Sequence, residues 1–374
     1  MSSYLCFCFF LTSFFLVPSV QPEINVIQDN NNVKDEVYNA QRKVSKESVY
    51  IVAVQLDKDD QELADEIAHL QGFKNRGKIG SLDGFFEFEH DPESGIRERR
   101  SLRVKRFTEH PRVIWAEEQV EFERFKRGYE KDAQQYLICE NHLKREEHSQ
   151  KHKDKLLAIE KRKYSHFFHD PKFYKQWYIC NYGQLHTRPE KDINVIDVYK
   201  RGITGKGVKV SILDDGLDWK HPDLGKNYDP LASTNLNKDI GFGKHDPRPN
   251  DSDDYNAHGT KCGGEVAAEA NNSICGAGIA PNAKLGGVRM LDTENGKSTD
   301  SLEARALSFN RDYIDIYSNC WGPKDDGKTF GGPGTLGKRA LMEGTKYGRG
   351  GKKNPLYLQS FDLKSFVLTQ LKKF

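Results

Sequence analysis

Between residues 208 and 347 the sequence switches repeatedly between two periodicities, and this alternation limits the folds open to the chain more than any other feature. Residues 208–213, 284–290 and 313–318 are short, β-rich runs, whereas 260–270, 299–309 and 335–347 have helical length and spacing. Strands separated by helices of this length predict a parallel sheet with right-handed crossovers and helices on both faces, an α/β architecture. Such sheets gather functional groups at the carboxyl ends of their strands. Asp214-Asp215-Gly216 stands at the end of the first.

A different texture precedes this region. Residues 49–54 read as a strand; Asp59 and Asp60 then introduce Leu63, Ala64, Ile67, Ala68 and Leu70 at helical spacing, closed by Gly72. Residues 84–89 and 113–116 read as further strands, so a small α+β unit of about 70 residues is expected within 48–127. Its later part carries three basic clusters, Arg97-Glu98-Arg99-Arg100, Arg103-Val104-Lys105-Arg106 and Arg124-Phe125-Lys126-Arg127. Such clusters are solvated loops in some proteins and protease sites in others, and spacing alone leaves both open. Residues 131–163 are rich in Lys, Glu, His and Gln, which makes 128–169 a charged linker or insert.

At the start, residues 4–17 form an uncharged apolar run followed by Pro18 and Ser19, the shape of a secretory signal over 1–19; a short membrane anchor is the alternative. Residues 20–47 are polar and expected to be flexible. The run sends the chain to the secretory pathway, and no stable membrane span is expected. A net charge of +2 from 57 basic and 55 acidic residues implies no nucleic-acid partner. Five cysteines follow the signal (Cys139, Cys180, Cys262, Cys275, Cys320), with no CxxC spacing to suggest zinc.

Leu213-Asp214-Asp215-Gly216 delivers two carboxylates where a buried strand emerges. A carboxylate there can accept the Nδ1 proton of an imidazole and fix its tautomer, or it can simply cap the next turn. Asn256-Ala257-His258-Gly259-Thr260 places an imidazole at a helix start, where the macrodipole disfavours its charged form and helps keep it neutral, as a general base must be. A lone histidine there is often structural. Asp before His, each at the edge of one βαβ layer, is nevertheless the chain order of subtilisins.

The blocks Leu213-Asp214-Asp215-Gly216, His221-Pro222-Asp223-Leu224, His258-Gly259-Thr260-Lys261-Cys262, Gly287-Val288-Arg289-Met290-Leu291-Asp292 and Trp321-Gly322-Pro323-Lys324-Asp325-Asp326-Gly327 resemble successive blocks of the kexin and furin branch of the subtilisin superfamily, the proprotein convertases. The similarity runs over about residues 49–351. Arg124-Phe125-Lys126-Arg127 before Gly128-Tyr129, and Tyr255-Asn256-Ala257-His258, are most similar to the neuroendocrine members.

The resemblance implies a calcium-dependent serine endopeptidase that cuts prohormones and other proproteins after paired basic residues, made with an inhibitory propeptide. Asp214 and His258 become the acid and base of a triad. Asp215 and Asn256 line the pocket for the basic residue second from the cut, Asp325 that for the Arg before the cut, and Glu303 that for a more distant basic residue, with Trp321 and Gly322 along the cleft. Fixed carboxylates suit guanidinium groups. Asp300 and Glu303 also fit a helix-capping pattern. Arg124, Lys126 and Arg127 mark propeptide cleavage after Arg127, and calcium falls to Asp170, Asp223 and Asn272 with the carbonyls of Glu269, Ile274 and Gly276.

Departures from the pattern set further expectations. Asn319-Cys320 stands where the family has Ala-Ser, and Gly331 replaces an acidic residue. No Gly-Thr-Ser block occurs, and Ser360 and Ser365 lack that context. The resemblance therefore implies an incomplete subtilisin-like domain over 170–352, an unmatched tail over 353–374, an exposed edge at the 313–318 strand, and a chain without turnover. A noncatalytic secreted decoy acting through its propeptide, or a product of splicing or gene assembly, are the alternatives.

Overall fold

The computed structural model describes residues 50–91, 100–126, 168–181, 192–237, 246–249, 256–291, 297–324, 326, 328–329, 331–351 and 356–359. The expected signal, the flexible 20–47 segment, the charged linker up to 167, Cys139, Arg127, Asp325, Ser360 and Ser365 lie outside them.

The described residues build two larger sheets and two two-stranded ladders. The first contains β1 (Ile51–Leu56), β2 (Phe73–Lys78), β3 (Phe85–His90) and β4 (Val113–Gln119), antiparallel in the order β2-β3-β1-β4. Two helices, α1 (Gln61–Leu70) and α2 (Arg100–Thr108), accompany it. Asp60 starts α1 by accepting the Leu63 amide at 3.1 Å, as the sequence predicts. Val52, Val54, Phe86 and Phe88 pack with Ala64, Ile67 and Phe107 in one core.

Alternate strand residues point the other way. Ala53 and Phe85 join Ile79 and Leu82 in a second core made mostly with the C-terminal unit. Two elements differ from expectation. Phe73-Lys74-Asn75-Arg76-Gly77-Lys78 has turn composition, yet pairs with β3 through a register shift between Asn75 and Lys78. The cluster at 100–106, open between loop and protease site, begins a helix whose Phe107 is an apolar anchor.

The second sheet holds β7 (Lys209–Asp214), β8 (Thr234–Asn235), β9 (Lys284–Arg289), β11 (Ile316–Asn319) and β13 (Leu356–Gln359), in the order β13-β11-β7-β9-β8 and all parallel. Period-2 alternation divides the faces. Val210, Ile212 and Leu285 pack with Cys262 and Ala267 of α4 (His258–Ala267); Leu213, Val288 and Tyr317 pack with α5 (Asp300–Ser308) and α6 (Thr335–Tyr347). Helix α3 (Ile196–Lys200) buries Tyr199 against Phe168. The parallel α/β sheet is as expected. The exposed edge is not: Ile316 pairs with Leu356 and Asn319 with Gln359, so a strand from the segment taken as an unmatched tail covers β11.

The capping reading of Asp300 and Glu303 also changes. Thr299 caps α5, accepting the Leu302 amide at 3.1 Å. Asp300 instead reaches the next helix and accepts the Leu336 and Gly337 amides at 2.7 and 2.9 Å.

The two units dock through α5. Glu87 accepts the Ser301 hydroxyl at 2.5 Å and pairs with Arg305 and Arg76, each at 3.2 Å. Gln119 accepts the Ser301 amide at 2.9 Å, and Ser81 donates its amide to the Ser308 hydroxyl and its own hydroxyl to the Ser308 carbonyl. Gly80 has φ +57° with Ser308 Oγ 2.0 Å from where a Cβ would stand, so only glycine allows this approach.

Phe107 is fully buried, edge-on to Phe73 at 5.0 Å and tilted on Phe88 at 5.6 Å. Phe107→Ala is expected to cost the N-terminal unit about 3–5 kcal/mol, read as a lower urea midpoint for loss of amide protection in β1 and β3.

Candidate functional site

The site forms at the carboxyl ends of β7 and β11. Asp214 is the last residue of β7 and His258 the first of α4, and both are buried. Asp214 Oδ1 lies 2.8 Å from His258 Nδ1 and accepts the Asp215 amide at 2.8 Å. With the carboxylate ionised, Nδ1 is the donor and Nε2 keeps its lone pair, the tautomer a general base requires.

Asp215 fixes where α4 begins. Its two oxygens accept the amides of His258 at 3.1 Å and Gly259 at 2.8 Å, which are donors at the helix start. Two glycines make this packing possible. A Cβ on Gly259 would stand 2.2 Å from the Gly216 carbonyl and 2.9 Å from Asp214 Cβ, and Gly216 has φ +138°. One turn along α4, Cys262 Sγ lies 3.8 Å from His258 Nε2. Its i+4 spacing in His258-Gly259-Thr260-Lys261-Cys262 is the signal that locates it.

The end of the N-terminal unit enters the same cleft. β6 (Phe125–Lys126) pairs antiparallel with β12 (Trp321–Gly322), Lys126 opposite Trp321 and Phe125 opposite Gly322. Side chains then alternate. Arg124, 5% exposed, gives Nε and NH2 to Glu303 at 2.5 and 3.1 Å, a bidentate pair. Lys126 Nζ lies 2.7 Å from Asp215 Oδ2 and 3.3 Å from Asn256 Oδ1. Phe125, between them, is 40% exposed.

Asp214, Asp215, Asn256, His258, Glu303, Trp321 and Gly322 thus come together around Arg124 and Lys126. Asp325 and Arg127 lie outside the described residues. Sequence reasoning passed over β5 (Phe122–Glu123), which pairs with β10 (Lys297–Ser298), and the Phe122 ring 4.2 Å from the Arg124 guanidinium carbon.

The buried carboxylates carry the electrostatic load. Burial, then the charge of Asp214, pushes Asp215 up to about 6, while Lys126 pulls it back. Burial also raises Glu303 against the lowering by Arg124.

Away from the cleft, three segments meet around Asp170. Its carboxylate accepts the amides of Asn271, Asn272 and Ser273 at 2.7, 3.0 and 3.2 Å. Asp223 accepts Asn272 Nδ2 at 2.7 Å, and its backbone carbonyl accepts the Glu269 amide at 2.9 Å. Asp223 is raised, first by burial and further by the charges of Asp170 and Glu269. Such excess negative charge among oxygen donors fits a hard cation. Ile274 and Gly276 belong to the same loop, in which Asn271, Ser273 and Cys275 take positive φ.

Residues 205–360 match the Subtilase family and residues 52–127 the Peptidase S8 pro-domain. A PC3-like endoprotease variant B of Hydra vulgaris is 46% identical over 297 residues, 79% of this chain and 36% of that protein. Furin-like protease 2 of Drosophila melanogaster is 43% identical over 318 residues, 78% of this chain and 18% of that protein. Neuroendocrine convertase 2 of Mus musculus is 40% identical over 301 residues, 80% of this chain and 42% of that protein. The chain therefore spans less than half the length of each of these relatives. With a pro-domain match followed by a peptidase match on one polypeptide, and furin-like and convertase relatives at 40–46% identity, the chain belongs to the subtilase family, on its proprotein-convertase and furin-like branch.

Proposed function

We propose that this chain is the precursor of a calcium-dependent, subtilisin-like proprotein convertase of the secretory pathway, whose cleft takes peptides with paired basic residues ahead of the cut. One observation carries the reading. Arg124-Phe125-Lys126 lies antiparallel to Trp321–Gly322 with its first and third side chains against Glu303 and Asp215, the neighbour of Asp214 in the Asp214–His258 pair. In this reading the segment is the product side of a cut after Arg127, and the propeptide is the cleft's first ligand and inhibitor. Prohormones and other proproteins with the same pattern are the substrates.

In this reading Asp214 holds the Nδ1 proton of His258 and stabilises its charged form; Nε2 takes the proton of a serine hydroxyl and returns it to the leaving amine. The 374 residues hold the acid and the base but no Gly-Thr-Ser block. A polypeptide of these residues alone is expected to bind a basic segment without turning it over. Purified protein is expected to leave an Arg-x-Lys-Arg fluorogenic peptide intact with calcium at mildly acidic pH. Hydrolysis that disappears in His258→Ala would overturn this.

Calcium is assigned to Asp170, Asp223 and Asn272 with the carbonyls of Glu269, Ile274 and Gly276. Bound there, it would neutralise the carboxylates and tie three distant segments together. With free calcium about a hundredfold above Kd, stabilisation of about 2.7 kcal/mol follows from linkage. A rise in Tm that Asp223→Asn abolishes is the expected result.

The Lys126 contact is linked to protons. Docked Lys126 lowers Asp215 relative to an empty pocket, so docking releases protons. Its contribution is full above the pKa of the empty pocket and is lost as pH falls through about 6. Amide protection of Phe125–Lys126, corrected for intrinsic rates, should fall across that window; Asp215→Asn should flatten the response.

A further inference from the structure

Resting on the reading of 124–127 as a cleft-bound segment, we propose that the cleft continues beyond the paired-basic pockets, selecting an aromatic residue at the sixth position before the cut and acidic residues at the fifth and seventh. With the cut after Arg127, these positions are Phe122, Glu123 and Glu121.

The backbone extends first. Phe122 pairs with Ser298 and Glu123 with Lys297 in a second antiparallel ladder, separate from the one at Trp321–Gly322. Two ladders on different strands hold the segment straight from Phe122 to Lys126, so side chains two apart share a face.

On one face the aromatic follows from the chemistry of the pocket. Glu303 engages Nε and NH2 along the edge of the Arg124 guanidinium, leaving the faces of that plane for other groups. The Phe122 ring lies 4.2 Å from the guanidinium carbon, and the Trp321 ring 5.8 Å from it. Trp321 belongs to the cleft, but Phe122 comes with the ligand. An aliphatic residue at the sixth position keeps apolar cover and lacks the negative ring face that attracts the cation.

On the opposite face charge discriminates. Lys297 stands directly across from Glu123 in the ladder, and its Nζ lies 3.4 Å from Glu121 Oε2. One cation thus pairs with the Glu121 carboxylate and stands across the ladder from a second acidic residue, Glu123. A basic residue at the fifth or seventh position would meet Lys297 as a like charge. The Lys297–Glu121 pair is 45% and 46% exposed, so its effect is salt-screened.

The test is amide exchange across 121–126 in the full chain, with protection in Ile51–Leu56 and Asp300–Ser308 reporting the fold. Phe122→Ala is expected to speed exchange about fivefold and Phe122→Leu by a smaller factor. Lys297→Glu should speed it about twofold at low salt and not at about 0.5 M salt, with Glu121→Lys and Glu123→Lys together restoring protection in that background. Arg124→Ala tests the underlying reading. If Arg124→Ala speeds exchange while Phe122→Ala and Lys297→Glu do not, the extended subsite is wrong and the basic pockets stand. If Phe122→Leu equals the unaltered chain, the aromatic preference is wrong. If Arg124→Ala changes nothing, the segment is not docked and the functional reading itself fails.

Discussion

Asp215 is the residue on which the rest of the site hangs. Its buried carboxylate holds two amides at the start of α4 and the ammonium of Lys126 at once. The first task decides where the helix begins, and therefore that His258 faces Asp214. The second gives the incoming segment a charge to meet. A carboxylate this deeply buried is costly unless hydrogen-bonded and paired, so acid–base geometry and ligand recognition share one electrostatic solution.

The same economy governs the contact between the two units. Glu87 brings one carboxylate to Ser301 and two arginines, one from each unit, while Asp300 leaves its own helix to cap the next. Helix α5 thus presents its first turn to the N-terminal sheet and the Glu303 carboxylate to the cleft. The N-terminal unit touches the one helix that also carries the Arg124 pocket, so docking of the sheet and seating of the segment report on each other.

Much of this was legible in the sequence because it is periodic. The β7, β9, α5 and α6 runs stand within a residue or two of their predicted places, and the strand end at Asp214 follows from an apolar run that stops at two acids. What escaped was set by partners. Phe73–Lys78 has no strand composition and becomes one because β3 offers it hydrogen bonds. Leu356–Gln359 lies beyond the blocks read in the sequence but inside the 205–360 family match, and it pairs along β11. At the site, the carboxylates could be named from their blocks, whereas the stacking of Phe122 and the pairing at Lys297–Ser298 depend on a segment nearly 180 residues away in sequence. Asp300 shows the limit well: its spacing fits a cap for its own helix, and only the approach of α6 decides otherwise.

The back-to-back glycines at 216 and 259 give the catalytic pair an unusual kind of permanence. Beside the Asp215 carboxylate, the approach of α4 to the end of β7 rests on a bare backbone contact between Gly216 and Gly259, which a Cβ on Gly259 would close to 2.2 Å. Side-chain spacers can drift by small compensating changes through a lineage; a bare backbone contact has no smaller state to pass through. Chains descended from this one can therefore vary at positions such as Phe125, which faces solvent, while the contact between residues 216 and 259 admits no larger residue.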